Sequence, residues 1–227
     1  MQVNHIDPVN KGEVVWTVDP ASVIFIGRLF NTGHVDLRRI VAVAGSMVKE
    51  PQYVETIVGA SISDIVKDNL SDGKKARLIR GNVLNGKPVG KEDYLDGHTS
   101  ELTAIPEGDD ADEMFGWIMP RLKQFSKSRS YLSWLLGKKE YDVDCRVKGG
   151  ERHMIMSGEY DSVLPMDIYG EYLIKAILAG DIDRMEQLGI YEVSPEDFAV
   201  AEFVDSSKLE LQKIVREGLD MLRKENA

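Results

Sequence analysis

One thiol, Cys145, and four imidazoles, His5, His34, His98 and His153, are the side chains of this 227-residue sequence best suited to redox or metal chemistry. An iron–sulfur centre normally takes four thiolates, so a single cysteine supplies neither a cluster nor an internal disulfide within one chain. The histidines are scattered, with no i, i+4 pair and no metal-like spacing. Cys145 and His153 fall on adjacent predicted strands, which leaves a thiolate–imidazole pair open, although a buried, inert cysteine is favoured. The acidic stretch 107–113 contains Gly108-Asp109-Asp110 but lacks the alternate-residue oxygens and terminal glutamate of an EF-hand, so it reads as a solvated linker. Helix capping explains the neighbouring acids Asp181 and Asp183. No nucleophile elbow, zinc-protease helix or P-loop is present, and Gly45, Gly59, Gly81 and Gly86 stand alone rather than as G-x-G-x-x-G. No residue is assigned a catalytic, cofactor-binding or metal-ligating role.

What remains is contact chemistry. Met114 to Leu136 mixes aromatics with cations in an otherwise acidic chain. Phe115, Trp117 and Phe125 could anchor a protein partner, Lys123 adds positive charge, and Arg129 could fork onto a partner's carboxylate. The alternative is that the aromatics fill a core and the cations form its solvated rim. A net charge of -10 and a pI near 5.0 oppose binding to phosphate backbones and anionic lipid, which leaves protein contact as the expected mode. No apolar run approaches the roughly 18 residues that cross a bilayer, and no signal-like segment opens the sequence, so a cytoplasmic location is expected.

The elements that must carry these residues are of mixed α+β type, in about two compact units. Val14 to Val18 and Val23 to Phe30 read as strands punctuated by Asp19-Pro20. Arg38 to Ala44, Gln52 to Thr56, Ala76 to Arg80 and His98 to Ile105 read as further strands, with a short helix capped at Ser61 and running to about Asn69. Asn85-Gly86 reads as a hairpin turn. Tyr141 to Val147 and Arg152 to Met156 flank Gly149-Gly150 as a second hairpin. Helices are expected at about Glu171 to Ala179, Asp183 to Gly189, Pro195 to Glu202 and Lys208 to Lys224, the third started by Ser194-Pro195-x-Asp197. In the last, Leu209, Ile214, Leu219 and Leu222 are spaced for core packing.

Gly116-Trp117-x-x-Pro120, Phe125-Ser126-x-Ser128-Arg129, Gly149-Gly150-Glu151-Arg152 and Pro165-Met166-Asp167-Ile168 match no common catalytic motif. Together with His5-x-Asp7-Pro8, Val15-Trp16, Ile26-Gly27-x-Leu29-Phe30-x-Thr32-Gly33 and Arg39-Ile40-Val41-x-Val43-Ala44-Gly45, they resemble the C-terminal half of the NqrA family, one of the components of the sodium-translocating NADH:quinone reductase. The blocks arrive in order through nearly the whole sequence. Members of that family are about twice as long, which implies a truncated form lacking the N-terminal portion.

The resemblance implies a peripheral subunit on the cytoplasmic face of the bacterial inner membrane. Its partners would be the other subunits of a complex that passes electrons from NADH to quinone while exporting Na⁺. Those subunits would carry the flavins and the iron–sulfur centre, this half would hold no cofactor, and a contribution to quinone binding stays open. The implied domains are a β-rich opening segment at 1–37, a soluble-ligand-binding β-grasp domain at 38–107, a signature and β-hairpin segment at 114–168, and a helical domain at 169–227. The helical tail is similar in layout to the two-cluster ferredoxin-like domain of RnfC, with Pro195, Phe198, Ala201 and Asp205 standing where C-x₂-C-x₂-C-x₃-C would place thiolates. Two alternatives are a stand-alone β-grasp module that captures a soluble ligand and an RnfC-like electron carrier. The signature blocks argue against the first and the cysteine count against the second.

Overall fold

The computed structural model describes residues 2–110, 115–116, 118–119, 121–122, 124–127, 129, 131–136 and 140–226. Its helices are α1 (Gln2–Ile6), α2 (Pro20–Thr32), α3 (Ile62–Ile65), α4 (Gly170–Ala179), α5 (Ile182–Gln187), α6 (Ala199–Val204) and α7 (Leu211–Glu225). Its strands are β1 (Arg38–Ala44), β2 (Gln52–Ile57), β3 (Ala76–Arg80), β4 (Lys87–Val89) and β5 (Glu101–Pro106). Residues 16–125 and 131–148 form one compact unit, and residues 1–15, 126–130 and 149–227 form the other.

The first unit is built on a five-stranded sheet in the order β2-β1-β5-β3-β4. β1 alternates between faces, as a period of two requires, with Arg39, Val41 and Val43 buried on one side and Arg38 and Ile40 exposed on the other. It runs antiparallel to β2, with Val41 opposite Val54, and parallel to β5, with Val43 opposite Leu102. β3 pairs antiparallel with both β5 and β4. The inner face packs on Met47, Val48, Ile62, Ile65 and Leu95, so the one-turn helix α3 serves mainly to deliver two isoleucines to the core.

Gly45 closes this arrangement. Its φ is +118°, and a Cβ there would lie 2.1 Å from the Ala104 carbonyl oxygen, so only glycine lets the chain leaving β1 lie against β5. That carbonyl is also the acceptor of the Met47 amide at 3.0 Å.

Four expectations from sequence are corrected in this unit. Val23 to Phe30 is helical, within α2, because Asp19-Pro20 is a helix start. The Asp19 carboxylate accepts from the Ser22 amide at 3.0 Å and the Ser22 hydroxyl at 2.7 Å, Pro20 opens the first turn, and Gly33 closes the last in the left-handed conformation. Val14 to Val18 forms no strand, so the described residues 2–37, expected to be β-rich, hold α1 and α2 and no strand. The helix after Ser61 stops at Ile65, and Asp68 with φ of 59° lies in the left-handed region, which a continuing helix cannot use. Asn85-Gly86 does lie in a hairpin, between antiparallel β3 and β4, but the loop is longer than a two-residue turn and spans 81–86, with positive φ at Gly81 and the Asn82 side-chain oxygen accepting from the amides of Leu84 and Asn85. Gly86 is needed there for closeness, since a Cβ would come 2.4 Å from the Asn82 carbonyl.

The second unit is helical. α4 and α7 pack around Tyr160, Leu173, Ile174, Met185, Phe198, Leu211 and Val215, which are fully buried. Ser194 begins the turn Pro195–Phe198, its amide donating to Asp197 Oδ2 at 2.9 Å, and α6 follows directly. α7 begins at Leu211 rather than Lys208, because Lys208 has a φ of 64° and the buried Asp205 carboxylate accepts from the amides of Ser207 and Leu209. Ile214 and Leu222 are buried on α7, with Leu209 and Leu219 packed beside them.

No strand forms in the described residues between 140 and 156, so the expected hairpin around Gly149-Gly150 is absent. Backbone groups there pair elsewhere. Within the first unit the Cys145 amide donates to the Pro106 carbonyl at 3.2 Å. Within the second, the Arg152 amide donates to the Ser207 carbonyl at 2.9 Å, the Ile155 amide to Ser207 Oγ at 3.2 Å, and the Gly158 amide to buried Glu171 at 2.7 Å.

Candidate interaction surface

The residues singled out for docking divide between the two units, so neither unit by itself assembles them. Phe115 and Phe125 belong to the sheet unit and Arg129 to the helical one, while Trp117 and Lys123 lie outside the described residues. Phe115 is 61% exposed, and Phe125 is partly exposed and edge-on to Tyr141, with ring centroids 5.8 Å apart. Their described apolar neighbours Ile118, Met119, Leu122, Leu132 and Trp134 are exposed as well, the last two on a short 3₁₀ turn at Leu132–Leu136. The aromatics described here therefore do not fill a core. Arg129 has a φ of 56°, and its amide donates to the Ser126 carbonyl. Its neighbour Lys127 is paired with the Glu159 carboxylate at 2.9 Å and with the Ser162 hydroxyl.

At one end of the sheet the acidic stretch is engaged rather than free. Glu107 is paired with Arg77, Asp109 with Lys75 at 2.8 Å, and Asp110 with Arg146 at 2.5 Å. Each of these hydrogen-bonded cations holds its carboxylate below the usual range. With three separate partners, the acids described do not converge as calcium ligands would, and the solvated linker becomes, at 107–110, a row of ion pairs. Cys145 is half-buried nearby, and burial pushes its thiol up although Arg77 opposes the shift. The strands expected to bring it beside His153 are not formed, and the two residues belong to different units. Among the described residues no group of three or more His, Cys, Asp or Glu side chains could hold a metal ion.

Two further places bear on cofactors. An open groove of about 400 Å³ beside β3 and β4 is lined by Lys75, Arg77, Pro88 and Glu107 among others, and its charged walls suit a quinone ring poorly. In the helical unit, Pro195, Phe198, Ala201 and Asp205 are all buried. A ring and a methyl fill the space, and the one ionisable group among them is committed to two backbone amides, so these residues do not fit an iron–sulfur cluster.

Comparison with known proteins gives this arrangement a family. Residues 1–35 match the family model described as the NqrA second alpha/beta domain, and residues 40–91 match that described as the NQRA C-terminal domain. The NqrA component of the Na(+)-translocating NADH-quinone reductase of Pasteurella multocida is 38% identical over 224 residues, which is 98% of this chain and 50% of that protein. The corresponding proteins of Neisseria meningitidis and Rhodopirellula baltica are 36% and 34% identical over 98% of the chain, covering 50% and 49% of their own lengths. The chain belongs to the NqrA family. It spans about half the length of the NqrA relatives that it matches. No described helix is long and apolar enough to cross a membrane. Sequence reasoning missed one feature of this family member, the outward apolar face of α2, whose signal was the Asp-Pro pair at a helix start.

Proposed function

We propose that this chain is a docking part of a Na⁺-translocating NADH:quinone reductase, attached peripherally on the cytoplasmic face of the bacterial inner membrane. It binds other subunits of the complex and carries no redox centre of its own. The observation that carries this reading is the 38% identity over nearly the whole chain to an NqrA relative. Three physical features support it. The charge of -10 favours protein contact over lipid or nucleic acid. The exposed Phe115, Phe125 and Trp134 have the character of interface anchors. The buried Pro195, Phe198, Ala201 and Asp205 are consistent with a ferredoxin-like scaffold that has lost its clusters.

The sheet unit is read as a β-grasp domain over 38–107. Its parallel β1–β5 pair, flanked by antiparallel neighbours and followed across one face by α3, supports that reading. The role of such a domain here is contact, since the groove beside it is charged and open. Electron transfer from NADH to quinone and Na⁺ export belong to the assembled complex, with flavins and iron–sulfur chemistry supplied by the other subunits.

Reconstitution tests this. Added to a complex lacking NqrA, the chain should bind stoichiometrically, and binding should fall with the Phe115→Ala and Phe125→Ala pair while the melting temperature stays nearly unchanged. Each exposed anchor should account for about 1–2 kcal/mol of binding. Unchanged binding by the pair would remove this surface from the interface. Comparing quinone reduction with intact NqrA and with this chain then separates an assembly role from a quinone-binding one.

A further inference from the structure

α2 wears its apolar side outward. With 3.6 residues per turn, Ala21, Phe25 and Arg28 share one face, and together with the neighbouring Ser22 these are the half-buried positions of the helix. Arg28 is on that inner face, donating to the Arg38 carbonyl at 2.6 Å. Val23, Ile26 and Phe30, spaced i, i+3, i+7 on the opposite face, are 56%, 48% and 84% exposed. Beside this stripe a Cβ on Gly27 would meet nothing within 4 Å, so the face is open to close approach. No residue of the helix is buried. A helix whose final environment is water carries charge on its outer face, whereas the outer face of α2 is apolar.

The family match points to what covers this face. Residues 1–35, which include all of α2, match a family domain described as α/β, yet no strand occurs among the described residues 2–35. In α/β domains the apolar stripe of a helix is buried on a face of the sheet. The chain spans half the length of its relatives, which leaves room in the remaining half for the strands such a domain needs. We propose that the Val23, Ile26 and Phe30 face of α2 covers an apolar β-sheet face supplied by the other half of the NqrA polypeptide, completing the second α/β domain. This depends on the family match and not on the docking role, so either can fail without the other.

Two measurements test it. The chain is co-expressed with the non-overlapping half of the Pasteurella multocida NqrA, and complex is isolated through a tag on that half. A stoichiometric complex is expected, and Ile26→Asp with Phe30→Asp should abolish it without altering the melting of this chain alone. Hydrogen exchange supplies the second readout and needs no split protein. In intact Pasteurella multocida NqrA, the segment aligned with 20–32 should exchange about tenfold or more slowly than α2 does here. Equal exchange in the two proteins would overturn the proposal, as would a complex that survives the double substitution. So would a dimer of this chain in light scattering, or binding to phosphatidylglycerol vesicles, that the double substitution removes, since either would assign the face to a second copy or to lipid.

Discussion

Gly45 shows how one residue constrains a sheet. A side chain there must share space with the Ala104 carbonyl while the backbone holds a φ of +118°, so Gly45→Ala should destabilise the sheet unit by about 2–4 kcal/mol in urea unfolding. Gly97 is the contrast: a Cβ would meet nothing within 4 Å and its φ lies outside the left-handed region, so Gly97→Ala should be neutral or stabilise by about 0.4–1 kcal/mol. Equal losses at both sites would show that the close approach at Gly45 does not control stability. Residue chemistry was legible only in part: the single cysteine and scattered histidines could be read directly from the sequence, whereas the burial of Phe198, Ala201 and Asp205 could not. Pairing of Lys75, Arg77 and Arg146 with the acids of 107–110 was not legible, because partners 30 or more positions apart leave no local pattern.

At the scale of elements, β1, β2, β3 and β5 could be read because β-branched residues alternate with polar ones and turn residues bound them. The helices α4 to α7 could be read from period and caps. α2 could not, since it is apolar on both faces and loses the period that distinguishes a helix from a buried strand, and because Asp-Pro serves turns and helix starts alike. The absent hairpin at 141–156 failed for another reason: its amides find acceptors on Pro106 and Ser207, which no local signal announces. The cap on α2 gives a prediction at this scale. Hydrogen bonds from Ser22 hold the Asp19 carboxyl well below the usual carboxylate range, so its contribution is present above that range and is lost as pH falls through the folded value. Amides at the start of α2 should exchange faster in Asp19→Ala at neutral pH, and acidification should add less to exchange in the variant than in the parent. Identical protection in both proteins would show that Asp19 does not hold the helix.

For the whole molecule, pH dependence is a balance of opposite signs. Glu107, Asp109 and Asp110 are depressed by their cations, so the folded form gains from them above the usual carboxylate range and loses that gain on acidification. Glu202 works the other way. Burial raises its pKa although the Gln212 amide donates to it at 2.8 Å, so the folded chain holds a proton that the unfolded chain has released. Its contribution is favourable below the ordinary glutamate value and declines as pH rises toward the raised one. Glu202→Gln keeps an acceptor for that amide and should remove this decline, leaving the helical unit as stable as the parent or more so at pH 7. A variant with the parent's pH slope would assign the slope to other groups.

Association with the respiratory complex is the property on which this reading of the chain stands. The most direct measurement is titration of the purified chain into a Na⁺-translocating NADH:quinone reductase preparation stripped of NqrA, with iron and acid-labile sulfide determined on the same chain. Saturable one-to-one binding by a colourless protein without stoichiometric iron is the expected result. No binding, or a chain that carries iron and sulfide in whole-number ratio, would contradict it.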